Sequence, residues 1–595
     1  MKEKIAVLDF GGQYAHLLAN RVRRLGVYSE ILAPTAKIED FEGFSGVIFS
    51  GGPSSVYEDN RPDFNHAILD LDIPKLGICY GHQLLNQALG GEVTPGKVKE
   101  YGVAMLNLTQ PEHPLLKGIP AESAMWMSHG DKVSRPAAGF VTIASTDDCE
   151  QSAVANDELK IYGIQFHPEV THSVFGSKLL ENFIDICGCE KSWSTASYLN
   201  ELTEKIKVQV GDKNVFLLVS GGVDSTVAFV LLNNILGKER VLGLHIDNGL
   251  MRHNESVAVD RFLAEHDIVN LVVSDSTDLF LKNLEGSSIP EEKRKIIGDT
   301  FLQVKDIEIE NLKLDPSKWL LAQGTIYPDT IESGGTDNAE VIKTHHNRVE
   351  AIMELLEKGL IIEPLADLYK DEVRALGEEL GIPHALVWRH PFPGPGLGVR
   401  LLCSDTEGVI ADNSSQLNTY LAENNIAGRI LPIKSVGVQG DSRTYASPFV
   451  LQSEMSWSEC EKYSTAITNR FSEINRLVYQ AGPRELSEFT LIKQFCTKQP
   501  LDFLRTIDEL CTQFLQDNNL YQEIWQMPVV LVPMTCDNKP VVVLRPVCST
   551  EAMTASFYEM DRDLLGKLWS ILESNGVGAL LYDITHKPPG TIEWE

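Results

Sequence analysis

The sequence predicts an α/β protein: two doubly wound parallel-sheet domains followed by a duplicated α+β C-terminal module. Three observations predict it. Short apolar runs alternate with stretches of helical period through most of the chain, the pattern of a mainly parallel sheet covered by helices. The junctions from strand to helix are rich in glycine. A strand–helix–strand pattern also recurs after residue 396. The chain has 595 residues, and at roughly 100–200 residues per domain three or four cores are expected. We place them at 1–188, 195–395, 396–485 and 486–595.

In the first segment, 5–10, 46–49 and 75–78 read as strands, each ending in a glycine-rich or polar turn. Leu84, Leu85, Ala88 and Leu89 then recur at helical spacing and stop at Gly90 and Gly91. Residues 187–194 break the pattern and read as a linker. The second segment opens on a buried strand at 215–219, and Val227, Ala228, Leu231, Leu232 and Ile235 mark the helix after it. It ends near the proline-rich stretch 389–396, which no helix or central strand could contain. In the remainder, 436–440 is followed by 475–479 and 541–545 by 579–582, each pair reading as strand, helix, strand.

Composition excludes several partners. Lys plus Arg is 52 and Asp plus Glu is 83, a net charge of −31. So negative a surface repels phosphate backbones and anionic membranes, so no nucleic acid partner is expected. No long apolar run suits a signal peptide or a membrane span. The ten cysteines have no framework spacing. Reduced thiols in the cytoplasm are expected.

One cysteine differs from the others. Cys79 lies in Gly-Ile-Cys-Tyr-Gly at 77–81, between a strand and a helix, where small neighbours permit the tight turn of a nucleophile elbow. Taken alone, such a stretch reads as a buried structural cysteine among turn glycines. It is accompanied by Gln-Phe-His-Pro-Glu at 165–169. His167 and Glu169 are two apart and share one side of an extended segment, which suits a base and the carboxylate that orients it. Ser-Gly-Gly-Pro at 50–53 ends another strand, and backbone N–H groups at Gly52 and Tyr80 could form an oxyanion hole. These three motifs, in this order, resemble a class I glutamine amidotransferase over about residues 1–187. The resemblance implies that Cys79 attacks the glutamine side-chain amide, that His167 acts as base and then acid, that Glu169 orients it, and that Gln83 helps hold the glutamine.

The second constellation is Ser220, Gly221, Gly222, Val223, Asp224 and Ser225. Glycines between strand and helix expose N–H groups, and hydroxyls flank them, as a pyrophosphate cradle requires. No Gly-Lys-Ser/Thr follows, so this is not a Walker A loop. It resembles the PP-loop of N-type ATP pyrophosphatases, with Asp224 placed to help hold Mg²⁺ beside ATP.

Later segments at 291–298, 324–329, 343–347, 370–374, 390–396 and 587–595 extend the resemblance to the GMP synthase family across nearly the whole chain. It implies the reaction XMP + ATP + L-glutamine + water → GMP + AMP + pyrophosphate + glutamate, through adenylation of the xanthine C2 oxygen. It carries Arg294, Asp441, Gln526, Lys587, Ile592 and Glu593 over to positions that bind XMP, and Lys370 to a lid over the adenylation site. A different PP-loop amidotransferase of the NAD synthetase kind is disfavoured, because those enzymes use other glutaminase folds. A decayed, purely binding protein is disfavoured by the intact motifs. The stretch after Gly396 is longer than in the short bacterial form, which dimerises through this module. A second copy in the same chain would make a monomer by internal pairing, with a homodimer as the alternative.

Overall fold

The computed structural model describes the chain except residues 1–2, 13, 59–60, 171, 316, 333–359, 410–412, 440–441, 484–487 and 550–554. It divides into two compact units: Met1–Gly211 with Gly324–Gly381, and Asp212–Gln323 with Ile382–Glu595.

The first unit is built on a nine-stranded sheet. Strands Tyr28–Leu32, Lys4–Leu8, Phe44–Phe49, Lys75–Ile78 and Ile161–Ile164 lie side by side and all pair in parallel. Ile5, Val7, Ile48, Leu76 and Ile78 are fully buried, as expected of strands covered on both faces. The sequence predicts a mainly parallel sheet here, and the structure corrects this. Beyond Ile161–Ile164 the sheet continues through Ala153–Asn156, Val141–Ser145, Glu92–Leu108 and Glu122–Arg135, all antiparallel. The 17-residue strand Glu92–Leu108 escapes a reading by alternation. Its outer face carries Tyr101, Val103 and Met105, all exposed, so apolar and polar residues do not alternate cleanly.

Gly324–Gly381 packs with the first unit, although the sequence reading places 195–395 together. Its anchor is Arg23, whose guanidinium donates to the Asp367 carbonyl at 2.6 Å and the Glu372 carboxylate at 3.0 Å. The rings of Tyr28, Tyr369 and Tyr327 surround it at 4.4, 5.0 and 5.1 Å. A buried guanidinium is tolerable only when its charge and donors are satisfied in this way.

Among its described residues the second unit holds two larger sheets and a two-stranded one, Val547–Cys548 with Ser556–Phe557. Leu271–Asp275, Val241–Asp247, Asn214–Leu218 and Trp319–Ala322 pair in parallel in that order. Helix Val223–Leu236 follows the strand Asn214–Leu218 and is buried almost all round, as its continuous apolar composition demands. The other larger sheet is formed after residue 396. There Ser442–Leu451 and Ile474–Gly482 run parallel, joined by helix Trp457–Arg470. Lys539–Leu544 and Ala579–Asp583 also run parallel, joined by helix Arg562–Ser574. The final strands of these two crossovers pair antiparallel, with Tyr479 opposite Tyr582.

Candidate active sites

Glycine sterics explain why the chain turns at Cys79. A Cβ on Gly77 would lie 2.5 Å from the Gly81 carbonyl oxygen, and one on Gly81 would lie 2.2 Å from that of Phe49. Only hydrogen fits at either position, so strand and helix can close together. Cys79 sits at their junction with φ 50° and ψ −104°, a strained conformation for a residue with a side chain. Its N–H donates to the Ile164 carbonyl at 2.8 Å, and its own carbonyl accepts from Gln83 N–H at 3.1 Å. The strain is therefore held by the sheet on one side and the first helical turn on the other.

His167 and Glu169 follow the neighbouring strand Ile161–Ile164. Nδ1 of His167 is 2.7 Å from Oε1 of Glu169, and both residues are buried. Burial opposes charge on the ring, but Glu169 and Cys79 outweigh it and raise the His167 pKa well above its ordinary value. A Cβ on Gly51 would touch His167 Cε1 at 3.1 Å and Cys79 Cβ at 3.7 Å, so glycine there leaves the thiol and the imidazole side by side. Tyr14 packs edge-on to the His167 ring at 5.4 Å. A thiol, an imidazole and a carboxylate in this order can generate a thiolate and return the proton to a leaving group.

Gly52 packs beside Tyr80, where an added Cβ would lie 3.4 Å from the ring. Gln83 is engaged within the fold: its amide donates to the Asp131 carbonyl at 2.8 Å and to Gln165 Oε1 at 3.2 Å. Sequence reasoning missed Ser128, whose carbonyl accepts from Cys79 Sγ at 3.6 Å, and Gln165, whose amide donates to that sulfur at 3.7 Å. The adjacency of Gln165 to His167 was the one available signal.

In the second unit the Gly-rich loop is tied by its own serines. Ser220 N–H donates to Ser225 Oγ at 3.1 Å, the two hydroxyls are 3.0 Å apart, and Gly222 N–H donates to Ser220 Oγ at 3.3 Å. Gly221 has φ +81° and approaches His245 and Met251, so a side chain there would be strained. Asp224 lies in the first turn of helix Val223–Leu236. A mostly apolar cleft opens beside the loop, lined by Val223, Val227, Phe262, Leu386 and Arg389 among others.

The tail forms a third cluster. Arg294 donates to the backbone carbonyl of Glu595. Gln526 donates to Glu593 Oε1 at 3.3 Å, and Arg400 grips the same carboxylate through Nε at 3.1 Å and Nη2 at 2.9 Å. Arg400 was not foreseen from the sequence. Lys587 pairs through its backbone with Ala555, and Ile592 is half-buried. Asp441 lies outside the described residues, as do 343–347. Lys370 begins helix Lys370–Glu379 and lies in the first unit.

Residues 6–187 match the family described as class-I glutamine amidotransferase, 195–287 the family described as NAD synthase, and 513–594 the family described as GMP synthase C terminal domain. A protein of Leptospira interrogans named "Probable GMP synthase (glutamine-hydrolyzing)" is 48% identical over 100% of this chain and 99% of its own length. The GMP synthase (glutamine-hydrolyzing) of Clostridium perfringens is 44% identical over 80% of this chain and 97% of its own. A solved glutamine amidotransferase from Thermotoga maritima is 22% identical over 35% of this chain and 86% of its own, with a TM-score of 0.25. The full-length likeness at 48% identity sets the outcome: the chain belongs to the glutamine-hydrolysing GMP synthase family.

Proposed function

We propose that the chain aminates XMP to GMP with ammonia drawn from glutamine, using ATP to activate the xanthine oxygen. The observation that carries this reading is Cys79 in its strained elbow beside the 2.7 Å His167–Glu169 pair, on the same chain as the serine-tied Gly-rich loop. Cys79 sulfur attacks the glutamine side-chain carbonyl, His167 passes the thiol proton to the departing ammonia, and water hydrolyses the thioester. Gly52 and Tyr80 N–H groups receive the oxyanion, while Gln83 shapes the pocket through its bond to Asp131.

At the Gly-rich loop, residues 220–225 receive the ATP phosphates. The XMP C2 oxygen attacks the α-phosphorus, pyrophosphate leaves, and ammonia then displaces AMP from C2. The carboxylate of Asp224, in the first turn of the helix after the loop, is an oxygen donor of the kind that would help hold Mg²⁺. When bound, Mg²⁺ supplies charge neutralisation for the departing pyrophosphate. Arg294, Asp441, Gln526, Lys587, Ile592 and Glu593 hold XMP, and Arg400 keeps the Glu593 carboxylate oriented. No helix among the described residues is long and apolar enough to cross a membrane. The cysteines are all unpaired in disulfide terms, which fits a cytoplasmic enzyme.

Two measurements test the reading. Incubated with XMP, ATP, Mg²⁺ and glutamine, the protein is expected to release GMP and pyrophosphate together; glutamate without GMP would refute the synthase assignment. Asp224→Ala is expected to lower GMP formation by at least about two orders of magnitude with either glutamine or ammonium, because adenylation precedes amination in both. Unchanged synthesis from ammonium would remove the loop from the ATP site.

We further infer the domain boundaries along the sequence at 1–188, 195–395, 396–485 and 486–595, with Gly324–Gly381 of the second counted in the first compact unit, and that the last two are copies of one module. Each contains two parallel strands joined by a helix, and their final strands pair antiparallel around Tyr479 and Tyr582. That is the arrangement two chains would use in an isologous interface. Linking the copies raises their effective concentration, so the internal pairing wins. Sedimentation at micromolar concentration is expected to give a monomer of 66.0 kDa. A substrate-independent dimer would overturn the internal pairing and leave the chemistry untouched.

A further inference from the structure

Outside the Cys79 site, the first unit brings together three metal-ligating side chains that the proposed chemistry does not use. Glu100 on strand Glu92–Leu108 and His129 on strand Glu122–Arg135 are direct cross-strand partners. Cys149 lies in the turn that follows strand Val141–Ser145. One donor atom from each, a carboxylate oxygen, an imidazole nitrogen and a sulfur, lie within 4.8 Å of one another. His129 and Cys149 are buried, and Glu100 is partly exposed.

The contacts of His129 are what mark the cluster as unusual. Nδ1 faces the Asp131 carbonyl at 3.0 Å, and Nε2 faces Glu100 Oε2 at 2.9 Å. A neutral imidazole carries one N–H and can donate to one of these oxygens only. The remaining nitrogen then faces an oxygen lone pair to lone pair; with the proton on Nδ1 that oxygen belongs to the Glu100 carboxylate, and a second proton or a cation must lie between. The sulfur of Cys149 beside that contact favours the cation. Imidazole, thiolate and carboxylate together form the ligand set of zinc, and two negative donors balance a dication. Around a tetrahedral zinc such atoms sit roughly 3.3–3.8 Å apart, so the imidazole and carboxylate, now at 2.9 Å, would part slightly to admit the ion. The frame is also braced. Thr146 Oγ1 donates to the other Glu100 oxygen at 3.0 Å and accepts from Cys149 N–H at 3.0 Å.

We propose that Glu100, His129 and Cys149 form a binding site for one zinc-class divalent cation, and that its occupancy suppresses the glutaminase. The link is the strand that carries His129. Its neighbour Ser128 supplies the carbonyl that accepts from Cys79 Sγ, and Asp131 supplies the carbonyl that fixes Gln83. Drawing His129 toward a shared ion moves both carbonyls, and with them the nucleophile and the pocket wall. Binding stands apart from the assignment of Cys79 as nucleophile, whereas the suppression rests on it. The two are therefore read separately.

The test titrates Co²⁺ into the metal-free full-length chain under a phosphine reductant. One equivalent is expected to produce a thiolate-to-cobalt charge-transfer band. The band is expected to survive Cys79→Ala and to vanish in Cys149→Ser. Glu100→Gln, which keeps the thiol, is expected to retain the band but weaken binding by at least about tenfold. No band in the wild type, a band that persists in Cys149→Ser, loss of the band in Cys79→Ala, or unchanged affinity in Glu100→Gln overturns the site. For the suppression, Zn²⁺ is expected to inhibit glutamine-dependent GMP formation and spare ammonium-dependent formation. Cys149→Ser is expected to need at least about tenfold more Zn²⁺. Equal sensitivity of Cys149→Ser and wild type overturns the suppression even where Co²⁺ binds.

Discussion

Cys79→Ala is expected to abolish glutamine-dependent GMP formation and to leave synthesis from ammonium near the wild-type rate. The loss with glutamine is expected to reach at least about three orders of magnitude, because removing a covalent nucleophile leaves only binding and oxyanion stabilisation. The fold tolerates the change. The backbone of Cys79 is held at φ 50° by the Ile164 carbonyl and by the helix that begins at Tyr80, and the contacts of the sulfur with Ser128 and Gln165 are long, at 3.6 and 3.7 Å. Ala carries the same backbone strain as Cys, so no new strain is added. The Gly-rich loop lies in the other compact unit, which is why the ammonium reaction is the control. Parallel assays of GMP with the two nitrogen sources decide the matter. If both fall together, Cys79 supports the fold or the synthase chemistry rather than glutamine hydrolysis.

Local steric rules made the elbow legible in the sequence. Gly77 and Gly81 are glycines because carbonyl oxygens sit where their Cβ atoms would be, and that constraint is written into the residues themselves. The spacing of His167 and Glu169 is equally local: two residues on an extended segment share a side, and the structure brings them within 2.7 Å. The serines of the Gly-rich loop close on each other over five positions. What stayed hidden depends on residues far apart in sequence. Nothing near Gln83 announces that Asp131 will take its amide, and nothing near Glu593 announces Arg400. The packing of Gly324–Gly381 with the first unit rests on Arg23, which reads in sequence as one of several charges at the end of a helix. Its burial among three tyrosine rings follows only from tertiary contact. The antiparallel ribbon was obscured for another reason, since exposed apolar residues on Glu92–Leu108 erase the period-2 signal.

Asp583 is the residue whose loss should cost the second unit most. It is fully buried, and two fully buried arginines converge on it: Arg476 Nη1 at 2.9 Å and Arg545 Nη1 at 3.3 Å. Trp594 Nε1 at 2.9 Å and the Thr585 N–H at 3.0 Å complete its shell. Burial lowers the Arg476 pKa to about 10 even with Asp583 beside it, so the carboxylate is the group that makes the charge tolerable. Asp583→Ala leaves two guanidiniums uncompensated in the core, at a cost of about 3–5 kcal/mol. The melting temperature is expected to fall by about 4–7 °C. Replacing the whole cluster is a different case: Asp583→Leu with Arg476→Met and Arg545→Met removes the charges together and should recover most of the loss. Function, however, should not recover with it. Arg476 Nη2 also holds the carbonyls of Val436, Thr591 and Glu593 at 2.9, 2.9 and 3.0 Å, and so fixes the backbone that presents Glu593. The triple variant is therefore expected to melt near the wild type while its KM for XMP rises. Calorimetry and XMP titration separate the two effects. A triple variant with both wild-type stability and wild-type KM would show that this buried cluster is structural filler and that the tail finds its place without it.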